Sequence, residues 1–218
     1  MWKKLPSLIG LLAARADAAV LTLSGRPGDF GVGADLQDVR EATASREQAR
    51  EFCAEVVLAA SALAKCTLPT VAILTGVAIG GSAELALAAD FRLAERGARV
   101  NFPFTRLGVV PDSLTIRRLV RLLGEQETRR VLLLKSHGWL TAGEVRSPLF
   151  DWVVDKSSLD TELERVVADL TAGSRFARHA IRQQLDVVEP VEEAQAIEVM
   201  AESFVTGDVA QLVASVTI

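Results

Sequence analysis

Histidine is nearly missing from this chain: His137 and His179 are all it has. A histidine-rich metal site is thereby excluded, and a serine–histidine hydrolase has no evident imidazole for its serine. Cysteine is as scarce. Cys53 and Cys66 sit in apolar helical patterning without metal-ligand spacing, which reads as buried free thiols in a reducing compartment. Cationic blocks are absent too, the net charge being −4 with 24 Lys and Arg against 28 Asp and Glu. Nucleic-acid binding would want a basic stripe, and membrane-surface binding a basic amphipathic helix; neither is evident. No segment approaches bilayer-spanning length, and neither internal repeats nor low-complexity segments occur. What remains is 50% hydrophobic and 24% charged over 218 residues, the profile of a soluble globular protein with a sizeable core.

The opening stretch "MWKKLPSLIGLLAARADA" caricatures a secretory signal, with two lysines, an apolar run and an A-x-A-like end. Pro6 and Gly10 interrupt the run, however, and Arg15 and Asp17 stand where small neutral residues belong. Leu5, Leu8, Ile9, Leu11 and Leu12 suit one face of an amphipathic helix, which is the reading preferred here. Trp2 is expected at the surface or an interface.

Further along, "AAVLTLSG" (Ala18 to Gly25) reads as a buried strand, followed by the glycine-punctuated loop "RPGDFGVGADLQD". A long alanine-rich helix is expected from about Ala44 to Lys65, broken by Leu68-Pro69. "TVAILTG" is a second buried strand, then a helix opens at Gly81 and Ser82; "DFRLA" and "RVNF" are short strands. From Leu114 most of the chain reads as helix, interrupted by the strand-like "FDWVVD"; Trp139 and Trp152 are expected to pack, and His137 to lie in a turn. Apolar strands without two-residue alternation, separated by helices, point to an α/β domain with covered sheet faces. The last third, from Ser157, looks like a helical appendage.

The segment "VAILTGVAIGGSAELALAAD" puts two glycines and a carboxylate where a buried strand becomes a helix. Its glycines do not satisfy G-x-G-x-x-G, a P-loop would need lysine where Ser82 stands, and Ser82 lacks the G-x-S-x-G elbow. A helix amino terminus still presents unpaired N–H groups and a positive dipole end, and glycine lets a ligand oxygen come close. That is half of an oxyanion hole; Ala34 in "GVGADL" can supply the other N–H. A plain helix cap, with Glu84 as a favourable first-turn carboxylate, explains the same residues.

Taken together, four segments resemble the enoyl-CoA hydratase/isomerase (crotonase) family. They are "DFGVGADLQD", "PTVAILTGVAIGGSAELALAADFRLAERGARV", "FPFTRLGVVPDS" and "RRLVRLLGEQETRRVLLLKSHGWLTAGEVRSPLFDWVVD", in order and almost without gaps from Leu11 to Asp155. The resemblance implies an α/β, crotonase-like spiral of β-β-α units over residues 1–156 and a helical C-terminal region over 157–218. It also implies a cytoplasmic homotrimer or hexamer that acts on an acyl thioester, on coenzyme A or an acyl carrier protein. No resident cofactor or metal is implied. By position, Ala34 and Gly81 are its oxyanion-hole donors, preceded by Gly33 and Gly80 in the substrate site.

Proton transfer is where the residues depart from the hydratase pattern. Glu84 matches the first of that pattern's two glutamates, and Phe104 stands where the second belongs. Asp112 resembles the acidic residue of some isomerases in the family, and it equally suits a helix N-cap before "SLTIRRL". Leu114, in a stretch usually small and glycine-rich, is expected to add bulk near the acyl tunnel. Asp35 is expected to orient its loop through backbone hydrogen bonds. Three functions follow from the resemblance: a hydratase or isomerase, a decarboxylase of the same fold in which Phe104 serves a desolvated carboxylate, or a non-catalytic accessory subunit for a partner enzyme.

Overall fold

Strands apolar on both faces need covering on both sides, and a computed structural model of the chain contains such a layered arrangement. It describes residues 1–134, 138–144, 149–172 and 193–206, with 174, 177, 178, 181, 182 and 185. His137 and His179 lie outside the described residues. One sheet has four parallel strands in the order β1-β2-β4-β7: β1 (Leu21–Ser24), β2 (Thr70–Leu74), β4 (Phe91–Glu95) and β7 (Trp152–Val154). The second has three, β3 (Val77–Ile79), β5 (Arg99–Asn101) and β6 (Trp139–Thr141), with β5 parallel to β3 and antiparallel to β6.

The chain visits both sheets in turn. β2 leads into β3 and then α4 (Gly81–Ala88); β4 leads into β5 and then α5 (Phe104–Leu107). Each step adds one strand to each sheet and a helix, which is the spiral of β-β-α units. β2 sits between β1 and β4, so Val71, Ala72 and Leu74 are buried and the strand is apolar from Val71 to Leu74.

Helices cover these sheets. α1 (Leu5–Ala13) buries Ile9, while Leu8, Leu11 and Leu12 stay exposed, so its apolar face is only partly used. α2 (Leu36–Ala42) is capped by Asp35, whose Oδ1 accepts the Gln37 N–H at 2.8 Å. α3 (Arg46–Ala64) starts at Ser45, whose hydroxyl oxygen accepts the Gln48 N–H at 3.2 Å, and it buries Cys53. α6 (Ser113–Leu123) and α7 (Glu125–Leu133) follow α5.

Two described helices of the last third pack against the rest of the domain. From α8 (Leu159–Thr171), Leu159 and Val166 join Val71 and Leu93 of the larger sheet in one apolar cluster. α9 (Glu193–Thr206) lies along α3, with Phe204 5.5 Å from Phe52 between ring centroids. Ion pairs of Arg46 with Glu202 and Arg50 with Glu198, at 2.9 and 2.6 Å, line the edge of that contact. Two strands, β3 and β6, were not expected; each is only three residues long and carries no pattern of its own. Trp139 and Trp152 lie on strands, and Trp139 is 45% exposed with the Arg99 guanidinium 4.7 Å from its ring.

Candidate active site

β3 ends at Ile79, and Gly80 turns the chain with φ +55°, so that α4 begins at Gly81. The Gly80 carbonyl accepts the Glu84 N–H at 2.9 Å, which makes Gly80, not Ser82, the capping residue. Gly81 is the first residue of α4, and among the described residues its N–H has no acceptor.

The first glycine loop is held against the same point. Gly31 donates to the Val77 carbonyl at 3.0 Å and accepts from the Ile79 N–H at 2.9 Å, and the Gly33 N–H donates to the Ser82 Oγ at 3.0 Å. Gly33 has φ +96°, and a Cβ there would stand 2.9 Å from the Ile79 carbonyl oxygen and 3.6 Å from the Gly81 nitrogen. Only glycine packs this closely. The next residue, Ala34, also has an N–H without an acceptor among the described residues.

Ala34 and Gly81 both line a cavity of about 120 Å³. Gly33, Ala34, Gly80, Gly81 and Phe104 line it, and Glu84 is the one ionisable side chain in its lining among the described residues. The remaining wall is apolar, with Trp2, Phe52, Met200 and Phe204 prominent. Glu84 is 3% exposed, and its Oε1 has no hydrogen-bond partner among the described residues. Burial, then the negative charge of Asp112 and a hydrogen bond with its side chain, push the Glu84 carboxyl well above the usual range; the Asp112 backbone N–H offsets this in part. Burial and the nearby Glu84 also push the Cys53 thiol up to about 12, so it is no nucleophile.

Asp112 takes its place behind Glu84 and outside the cavity lining. It caps α6, its two oxygens accepting the Thr115 N–H at 3.0 Å and the Thr115 Oγ1–H at 2.5 Å, and it is buried. Leu114 does not line the cavity either: it packs against the main apolar core, because α6 turns that face inward.

Trp2 is the largest departure from expectation. It is 4% exposed and lines the cavity. Its Cζ2 and Cη2 would lie 2.8 and 2.9 Å from a Cβ at Gly81, so the indole fills the space the glycine leaves. By contrast, a Cβ on Gly80 would meet nothing within 4 Å. Ser82, as a brace between the two loops, was also unforeseen, as were Met200 and Phe204. Their spacing of four in "MAESF" was a legible helix-face signal, whereas nothing local marks Trp2 or Ser82.

A sequence profile described as enoyl-CoA hydratase/isomerase matches residues 8–207. An enoyl-CoA isomerase/hydratase of Mycosarcoma maydis is 28% identical over 181 residues, 82% of this chain and 65% of that one. An ethylmalonyl-CoA decarboxylase of Gallus gallus is 32% identical over 122 residues, 56% of this chain and 40% of that one. The chain thus spans less than two thirds of the length of these curated relatives. The crystal structure of an enoyl-CoA hydratase from Bacillus halodurans matches the fold with a TM-score of 0.88 at 21% identity, covering 99% of this chain and 88% of that one.

Proposed function

This chain belongs to the enoyl-CoA hydratase/isomerase family, and we propose that it moves a proton on an acyl thioester held as an enolate. The carrying observation is one buried carboxyl, Glu84, in a cavity whose other lining side chains are apolar among the described residues, lined also by Ala34 and Gly81, whose N–H groups have no acceptor among those residues. The Ala34 and Gly81 N–H groups donate to the thioester oxygen, where negative charge develops, and removing such a donor costs about 2.7–4 kcal/mol of transition-state stabilisation. Ionised Glu84 takes a proton from one carbon of the acyl chain, and the electron pair passes into the enolate. The same carboxyl then returns the proton to another carbon, with the double bond displaced. A single carboxyl suffices for this isomerisation, and burial raises its affinity for the proton it carries between the two carbons. Asp112 acts on Glu84 through its charge rather than on the substrate.

Phe104 supports a second reading, loss of carbon dioxide from a substrate that carries its own carboxylate. In that step the bond to the carboxylate breaks, its electron pair enters the same enolate, and the α-carbon is then protonated.

The test is titration with acetoacetyl-CoA, followed by the ultraviolet absorbance of its enolate, together with turnover of enoyl-CoA substrates. Wild type should give the enolate band and Glu84→Gln should lose about 10²–10⁴-fold in turnover. Unchanged turnover in Glu84→Gln removes the proton-transfer role. Carbon dioxide release from a malonyl thioester that survives Glu84→Gln selects the second reading.

A further inference from the structure

We propose that Trp2 sets the length of acyl chain this cavity admits; the inference rests on the acyl-thioester reading above. Trp2 opens a short 3₁₀ turn, Trp2–Lys4, ahead of α1, and its side chain runs inward into the cluster formed by Val56, Leu85, Met200 and Phe204. Its ring edge and the Glu84 carboxyl converge on one point. A Cβ at Gly81 would lie 2.8 Å from Cζ2 of Trp2 and 3.7 Å from Oε2 of Glu84. The indole therefore stands beside the proposed reacting carboxyl and forms a wall of the space that an acyl chain must enter.

That space is small. At about 120 Å³ it falls below the roughly 150 Å³ of a cavity known to hold benzene, so about four or five carbon atoms fill it. Its other walls come in part from the long helices, through Phe52, Val56, Met200 and Phe204, and from the β3–α4 junction, through Ile79, Gly80, Gly81 and Glu84. Trp2 belongs to a three-residue turn, and its ring is the bulkiest side chain of the lining. Exchanging it for a small residue lengthens the cavity without disturbing the two amides or Glu84. Each methylene then admitted adds roughly a fourfold gain in affinity.

Calorimetric titration with butanoyl-CoA, octanoyl-CoA and dodecanoyl-CoA tests this; saturated thioesters bind without being turned over as enoyl substrates. Wild type should prefer butanoyl-CoA, and Trp2→Ala should shift the preference toward octanoyl-CoA by about tenfold or more, with Trp2→Phe between them. The same chain-length preference in wild type and a folded Trp2→Ala overturns the inference and leaves the acyl-thioester reading standing. Wild type that binds none of the three thioesters overturns both. Should Trp2→Ala fail to fold, the Trp139→Phe, Trp152→Phe double variant leaves Trp2 as the sole indole. Its emission should then shift on saturation with butanoyl-CoA, and unchanged emission on saturation counts against the inference.

Discussion

Glutamine keeps the shape of a protonated carboxyl and cannot ionise, so Glu84→Gln turns the burial of this group into a stability measurement. Glu84 is 3% exposed, its Oε1 is unpaired among the described residues, and the Asp112 charge faces it. All of these favour the neutral form in the folded chain, whereas the unfolded chain ionises near the ordinary glutamate value of about 4.3. The folded state therefore holds a proton that the unfolded state gives up. Stability from this group is complete below the unfolded value and is lost as pH rises through the raised, folded one. One proton corresponds to a slope of at most about 1.4 kcal/mol per pH unit. As pH rises above about 5, wild type should lose stability relative to Glu84→Gln, no more steeply than that one-proton slope. Burial raises Asp90 and Asp151 as well, but both are present in either protein and cancel in the difference. Urea unfolding of the pair across this range reads the difference directly. A pH-independent difference, or one that favours wild type as pH rises, refutes the argument and means that Glu84 is charged in the folded protein.

Gly33→Ala should cost about 1–2 kcal/mol from its left-handed backbone alone. A thermal melt should show this as a fall of about 2–8 °C, and the acetoacetyl-CoA enolate band should vanish as the new methyl displaces the Ile79 carbonyl. Arg92→Ala should be the more damaging change, by about 3–5 kcal/mol. It strips donors from the Leu149 and Ala89 carbonyls, at 2.5 and 3.1 Å, and leaves the part-buried Asp151 without the guanidinium 2.9 Å away. The urea midpoint measures it, and a loss under 1 kcal/mol would show the pair to be dispensable, as an exposed one is.

Much of the fold was legible because its signals are local. A short apolar run such as "VAIL", rich in β-branched residues and bounded by Pro69 and Gly76, suits a strand covered on both faces, and Thr70–Leu74 is one. Asp35, Ser45 and Asp112 precede their helices as good caps do, and each accepts a backbone N–H from the first turn. Gly33, Ala34, Gly80, Gly81 and Glu84 were readable as one candidate site only through the family resemblance of their two segments, since a plain helix cap explains the glycines equally well.

The remainder depended on contacts distant in the chain. Asp112 suited either a proton carrier or a cap, and only the packing of α6 behind α4 shows it capping, with its charge on Glu84 and its side chain outside the cavity. Leu114 faces the core for the same reason. Trp2 beside Met1 and two lysines carries the local pattern of a surface residue, yet it is buried on Gly81. By itself the sequence determined the α/β class, the strands with strong apolar runs, the caps at Asp35, Ser45 and Asp112, and the two glycine loops, since propensity, capping and apolar patterning act between near neighbours. Tertiary structure alone decided which carboxyl borders the cavity, which stands behind it, and which ring closes the space. Those are matters of burial, and burial is set by residues as far apart as Trp2, Gly81 and Phe204.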